Sequence, residues 1–524
     1  MKNLFKQFNY ALALLLLVSA CHDDLDQSPI DPDSFTEEDV FTNATEAKGA
    51  LAKVYASLAL TGQEGPSGQP DIANIDEGFS QYSRMLFNLN ELTTDNAVIA
   101  WGDAGLQDLH GMYWTASNDF TDAMYNRLAQ TVSFSNSFIG NAANLSDAVV
   151  TQYIAEARFV RAFAYYNLMD LYGNVPLVTE IATTLPSQNS REEVFTFVET
   201  ELLEIQNQLA TSGSNEYGRV DQVAAWALLS KLYLNAEVWI GQPLYNDAVT
   251  YANNAINSSY SINTVDANGN GSAYDELFLA DNNVNGAQNE FIFTLNFDGI
   301  NSQTYGGTTF LVHAAIGGDM DPNEFGVNGG WGGLRTTSAL VNKMGTGDSR
   351  ALFYSAGQNL EITDMTTFTD GYAVTKFKNL KSDGTQGSDT AGDFVDTDLP
   401  LIRLSEIYLN YAEATLRGGS GSTSIALDLI NELRERAYGD TSGNISSGDL
   451  TLDFILDERA RELYWEGQRR TDLVRYNYFT TNAYLWPFKG DAALGSSVSN
   501  FRNVFPIPTN TILSNPNLQQ NTGY

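Results

Sequence analysis

Residues 399–478 constrain this chain more than any other stretch. They read LPLIRLSEIYLNYAEATLRGG, then IALDLINELRERAYGD, then LDFILDERARELYWEGQRRTDLVRYNY. Leu404, Tyr408, Tyr411 and Thr415 recur at the spacing of one helical face. Gly418 and Gly419 follow, as glycine commonly does at a helix C-terminus. Leu427, Ile430 and Leu433 mark a second helix, and Leu452, Leu456, Ala460 and Leu463 a third. The third leads into a dense charge run: Glu458, Arg459, Arg461, Glu462, Glu466, Arg469, Arg470, Asp472 and Arg475. Such a run ordinarily marks a solvated face. Here Tyr464, Trp465, Leu473 and Val474 interleave with the charges. The pattern predicts Arg–carboxylate pairs packed between helices.

RLSEIYLNYAEA, ERARELYWEGQRRTDLVR and the closing FPIPTNTILSNPNLQQNTGY resemble the signature segments of the SusD/RagB family. These are cell-surface glycan-binding lipoproteins of Bacteroidetes. The three motifs stand in the expected order and end at Tyr524, and the likeness runs over most of the mature chain. Residues 59–78 and 478–500 resemble the family's starch-binding founder in particular. The resemblance implies a mainly α fold: a tetratricopeptide-like helical-repeat body with a large irregular loop and short-strand insert that forms the ligand surface. It implies a binding protein with no required cofactor. Its partners would be a neutral glycan and a SusC-like TonB-dependent outer-membrane barrel.

Composition agrees with a neutral ligand. The chain carries 28 basic and 64 acidic residues, a formal charge of −36, which argues against nucleic acid and against anionic polymers. Its one cysteine, Cys21, can build neither a disulfide framework nor a thiolate zinc site. Lys2 and Lys6 precede an apolar run, Tyr10–Ala20, too short to span a bilayer comfortably. Val18-Ser19-Ala20-Cys21 then fits a lipobox, so Cys21 is expected to become the lipidated mature N-terminus. Asp23 and Asp24 resemble the surface-export signal of Bacteroidetes lipoproteins. The expected location is the outer membrane, at the cell surface.

These readings divide the chain. Residues 1–20 are a lipoprotein signal peptide and 21–40 a lipidated N-terminus and tether. Residues 41–524 form a single domain. Its helical body covers about 41–261 and 399–480, with helices near 44–60, two within 118–172, then 190–210, 221–239 and Tyr245–Ile256. The irregular insert covers about 262–398, rich in Gly, Asn, Asp and Thr, with strand-like runs at Glu290–Phe297 and Thr308–His313. A tail, 481–524, closes the chain. Long irregular inserts in compact proteins are usually functional.

Catalytic signatures are scarce. The three histidines, His22, His110 and His313, are isolated, and His110 and His313 read as loop or core residues. No metalloprotease, nucleophile-elbow or phosphate-loop pattern occurs. A glycoside hydrolase needs only two carboxylates, and no particular pair stands out. Glycan binding needs other parts: rings to take the C–H face of a sugar, and carboxylates, amides and Arg to take its hydroxyls. The resemblance places a sugar-bonding pair at Asp76 and Arg84, and arc aromatics at Tyr305 and Trp331. A third arc position of the founder falls on Ile99 here, and an asparagine contact on Ala104. Trp101 stands two residues beyond Ile99. Either Trp101 swings in, or the site reads a differently shaped glycan. Trp226, Trp239 and Trp465 sit in helical patterns and read as core. Two stretches open like calcium loops, Asp266-Asn268-Asn270 and Asp281-Asn283-Asn285. Neither has the closing Glu; Leu277 and Ile292 stand there instead. Asp281, Asn283 and Asn285 are the better candidates for a structural calcium.

These readings lead to starch or maltooligosaccharide as the expected ligand, with a β-glucan as the rival within the class. A glycoside hydrolase and a structural or peptide-binding lipoprotein are the rivals outside it.

Overall fold

The computed structural model describes residues 40–524. The stretch expected as a signal peptide, Cys21, and all but the last residue of the expected 21–40 tether lie outside the described residues. The first helices are α1 (Ala44–Ala59), α2 (Tyr82–Asn90), α3 (Asp119–Ala142) and α4 (Ala148–Tyr172). Then come α5 (Arg191–Ile205), α6 (Gln222–Leu234) and α7 (Tyr245–Ile256). Their starts are set by short polar caps. Asn43, Asn118, Asp147 and Asp221 accept hydrogen bonds from the free amides of the first turn, and Ser190 forms a reciprocal capping box with Glu193.

After the insert follow α9 (Leu404–Leu416), α10 (Thr423–Tyr438), α11 (Leu452–Leu463) and α12 (Arg469–Arg475). Within the insert lies α8 (Gly307–Ala314). Helix α3 packs on α4, α4 on α5, α5 on α6 and α6 on α7. Helix α7 then packs on α9 across the whole insert, and α9 on α10 and α11. The array of successive helices is therefore continuous in space although the chain leaves it for more than a hundred residues. One apolar cluster runs from Ala47 to Leu518 and fills the space between them.

All strand pairs among the described residues are two-stranded. Two of them matter for function. Strand β1 (Val98–Ile99) pairs antiparallel with β3 (Leu334–Arg335), Val98 opposite Arg335. Strand β2 (Phe291–Leu295) pairs antiparallel with β4 (Leu399–Arg403), tying the insert to the foot of α9.

The segment Thr308–His313, expected as a strand, is instead the body of α8. Every residue of this helix is buried, so no polar face betrays the 3.6-residue period, and a short apolar run with β-branched residues reads equally well as a strand.

The charge run of the sequence is a buried network. Arg403 on β4 reaches Glu462 at 2.6 Å, Glu290 at 2.9 Å and Glu466 at 2.7 Å. Arg436 joins Glu290 at 2.6 Å and also bonds Glu462. Arg350 joins Glu458 at 2.7 Å and Glu462 at 3.1 Å. Next to it, Arg475 bonds Glu413 and Arg459 bonds Asp472. Glu290 and Arg350 belong to the insert, so these pairs staple it to α10 and α11. Buried charges demand full pairing, which fixes the partners' positions. Arg469 also holds Asp95, at 2.7 Å, just before β1. Trp465 donates its indole N–H to Asn96 O at 3.1 Å and packs edge-on to Phe87 of α2. The network thus sets the seat of β1.

Candidate functional site

The β1–β3 ladder carries two tryptophans to one place. Trp101 follows β1 and Trp331 precedes β3, and they are 230 residues apart in sequence. Their rings lie 6.3 Å apart between centroids, and the Trp101 indole N–H donates to Trp331 O at 3.0 Å. Tyr305 continues the row, 6.4 Å from Trp331. All three rings are half-buried. Ile99 is buried within the ladder at 2 % exposure, and the ring beside Trp331 on that side is Trp101.

The loop that bears Trp331 is tied to the end of α8. The amides of Trp331, Gly332 and Gly333 donate to His313 O, Ile316 O and Ala314 O at 2.7, 2.8 and 2.9 Å. These carbonyls lie where the helix leaves its last acceptors without partners. Glycine is required at two of the positions. Gly332 has φ +57, and a Cβ on Gly333 would stand 2.5 Å from the Trp101 ring. Behind the row, His313 stacks on Trp331 at 4.9 Å and 17°, and Phe394 backs Tyr305 at 5.3 Å. Burial lowers the His313 pKa, so the ring is a neutral plate; its Nδ1 faces Gly329 O at 2.8 Å.

Arg84 and Asp76 form the polar edge. Arg84, on α2, lies over the Phe310 ring at 4.6 Å and donates to Tyr305 O at 3.2 Å and to Gly78 O. Burial pulls its pKa down to about 10, against the pull of Asp76 and Asp103, so it remains a cation at neutral pH. Exposed Asp76 accepts the Gly78 amide at 2.8 Å through one carboxylate oxygen. The five residues Asp76, Arg84, Trp101, Tyr305 and Trp331 therefore meet in one shallow row. A wider recess of about 550 Å³ between α1 and residues 62–71 has one ring, Phe134, which Lys53 Nζ already covers at 5.0 Å. It offers no comparable stacking surface.

The remaining candidates lie elsewhere. Both carboxylate oxygens of Asp281 accept from Ser382, at 2.9 and 2.6 Å, and the Asn285 amide spans Glu276 and Ala287. Asn283 is exposed. Asp266 and Asn268 accept backbone amides of their own loop. Among the described residues no group of three or more His, Cys, Asp or Glu side chains is placed to hold a metal ion. Trp239 and Trp465 are buried, while Trp226 is half-buried and donates to Gln206. His110 is a core residue.

Comparison with known proteins decides the family. Residues 344–524 match the family model described as "SusD family", and residues 69–234 one described as "Starch-binding associating with outer membrane". The starch-binding protein SusD of Bacteroides thetaiotaomicron is 35% identical over 99% of this chain and 98% of its own length. The chain belongs to the SusD family. SusD-like protein P38 of Formosa agariphila is 25% identical over 71% of this chain and 74% of its own. Among solved structures, a SusD superfamily protein from Parabacteroides distasonis superposes with TM-score 0.71 at 20% identity, covering 94% of this chain and all of that one. Surface glycan-binding protein A from Bacteroides fluxus gives the same TM-score at 20% identity, over 92% and 100% of the two chains. SusD-family proteins bind carbohydrate and are not catalytic, and the family associates with the outer membrane.

Sequence reasoning did not find His313 and Phe394 as ring supports. His313 carried one usable signal, its position at the end of the same buried run that follows Tyr305.

Proposed function

We propose that this chain is a surface lipoprotein that captures a neutral glycan on the Trp101–Trp331–Tyr305 row, with starch or maltooligosaccharide as its ligand. The row is the observation that supports it. Three partly exposed rings lie tilted to one another at 6.3 and 6.4 Å, and Asp76 and Arg84 stand beside them to meet hydroxyls. The starch-binding relative, similar over nearly its whole length, points to α-glucan. The net charge of −36 opposes sulfated or uronic polymers. Lipidated Cys21 would hold the protein on the outer leaflet, several acyl chains together giving durable anchoring. From there it would hand glycan to a SusC-like TonB-dependent barrel. A calcium in the 281–285 loop remains a separate proposal, checked by elemental analysis of the purified protein.

Titration calorimetry of residues 22–524 with maltoheptaose, and with a laminarin oligosaccharide as comparator, tests the ligand. Heat with maltoheptaose alone supports α-glucan. Heat with laminarin alone moves the ligand to β-glucan. Silence with both removes the glycan reading. Outer-membrane fractionation with and without Cys21→Ala tests the anchor.

A further inference from the structure

Helix α1 opens the body and lines a groove with one of its faces. Leu51, Tyr55, Ala56, Ala59 and Leu60 recur at helical spacing along a recess of about 340 Å³. The rest of the lining comes from residues 216–219 and 294–296 and from Ser302. Tyr55, Ala56, Ala59 and Leu60 are only partly buried, and Ala52 between them is exposed. Charge singles out the same helix. Of the lysines and arginines among the described residues, only Lys53 is exposed; the others are buried or partly buried. Lys53 stands on α1 beside a second recess that shares Ala56 and Leu60 with the groove. Lys48 is tied to Glu216 at 2.6 Å, whereas Lys53 has no carboxylate partner among the described residues.

The segment that leads into α1 has the matching chemistry. Residues 22–39 hold eight carboxylates and no lysine or arginine, and their large apolar side chains are Leu25, Ile30 and Phe35. Pro29 and Pro32 favour an extended course. At about 3.3 Å per residue, Leu25 and Ile30 stand ~16 Å apart on an extended chain. From Lys48 to Leu60 the helix rises ~18 Å, at about 1.5 Å per residue, so the two apolar side chains fit the length of the groove. Phe41 packs edge-on against Phe138 at 5.8 Å and fixes where the chain enters the body. Residues 31–39 span up to about 30 Å, enough to reverse direction there. We propose that the groove seats this chain's own residues 25–32, running antiparallel to α1, with Leu25 and Ile30 in the groove and Asp26 or Asp31 at Lys53. On a surface otherwise acidic, so acidic a segment meets its one exposed cation on this helix. The inference is independent of the glycan reading. With residues 25–32 seated, only residues 22–24 separate the body from Cys21, so a lipid on that cysteine would hold the body close to the membrane instead of on the full length of residues 22–39.

Carbodiimide coupling of the soluble form, residues 22–524, tests the contact, because the reagent joins a lysine amine only to a carboxylate that touches it. The Lys48–Glu216 pair supplies an internal reference. Peptide mass spectrometry of the monomer is expected to find Lys53 linked to Asp26 or Asp31. Leu25→Ser together with Ile30→Ser keeps every charge of the segment and removes both apolar anchors. The Lys53 link should then fall at least five-fold while the Lys48–Glu216 link stays. Ala56→Glu, a change at a partly exposed position that puts a like charge in the groove, should do the same. Absence of the Lys53 link, or a link confined to residues 37–39, overturns the proposal. So does a link that survives the serine pair, since charge attraction alone would then account for it. Links found only between two molecules also overturn it and make α1 a contact between copies.

Discussion

The ion network beneath β1 and the aromatic row above it use similar residues to opposite ends. In the network, arginines and carboxylates are buried and satisfy one another: Glu462 alone receives Arg403, Arg436 and Arg350. In the row, Arg84 donates to the backbone oxygens of Gly78 and Tyr305 and exposed Asp76 accepts one backbone amide, and neither makes an ion pair within hydrogen-bond reach. Tryptophan divides in burial. Trp465 is 1 % exposed, whereas Trp101 and Trp331 are only partly buried. Pairing makes a scaffold and incomplete pairing makes a site. The two regions meet at Asp95 and Asn96, where the scaffold grips the strand that delivers Trp101.

The division is broken most severely at Glu462. Glu462→Ala leaves three buried guanidiniums short of a partner and should cost about 3–5 kcal/mol of folding stability. Glycan affinity of the fraction that remains folded should be unchanged; denaturant melts and calorimetry read the two separately. A cost under about 1 kcal/mol would show that the network is dispensable.

Trp331→Ala reverses the pattern. Binding of maltoheptaose should weaken by about 1–3 kcal/mol, the range for a lost aromatic anchor. Stability should change by no more than about 1–2 kcal/mol, because the ring is only partly buried. A large drop in melting temperature with little change in affinity would move Trp331 into the scaffold class.

Gly333→Ala sharpens the comparison further. The added methyl would press on Trp101 at 2.5 Å and turn that ring out of the row. Affinity should fall about five-fold, or ~1 kcal/mol, with the fold retained. Unaltered affinity would mean that Trp101 contributes no contact.

The smallest effect is in pH. Burial raises Asp398 and Glu91 to about 7, only partly offset by Phe297 N–H and Tyr217 at the first and by Asn96 and backbone amides at the second. Their folded forms hold protons that the unfolded chain has released above about pH 4. Stability from these two therefore falls as pH rises from about 4 to 7. For Glu458 and Glu413, burial pushes upward, but Arg350, Arg461 and Arg434 at the first and Arg475 and Arg417 at the second outweigh it and hold both at about 2. Their contribution is present above about 4.3 and disappears as pH drops toward 2. The melting temperature should be modestly higher at pH 5 than at pH 7.5 and should drop steeply below pH 4. Asp398→Asn should shrink the rise. A melting temperature that climbs steadily from pH 5 to 7.5 contradicts this assignment.

Much of the scaffold is legible along the chain. Helix α7 runs over the predicted residues Tyr245–Ile256, and α1, α3 and α4 lie within the segments that carry their periodicity. Polar caps and one-sided apolar stripes are local signals, readable within a turn or two. The buried character of the charge run was legible too, because rings alternate with charges between Glu458 and Arg475. The site was legible only through resemblance. Nothing local to Tyr305 or Trp331 separates a ring that lines a surface from one that plugs a loop.

The sequence by itself determined the helical body, the single cysteine, the acidic charge and the family motifs, because each depends on residues near one another or on totals. Tertiary structure alone decided which rings face solvent. Trp101 reaches Trp331 only because two two-residue strands pair across more than two hundred residues. Helix α8 forms where the local pattern suggests a strand because burial on every side removes the periodic signal and packing chooses between the two. Long-range pairing and the voids it leaves depend on how separate elements meet, and no short stretch of sequence records that.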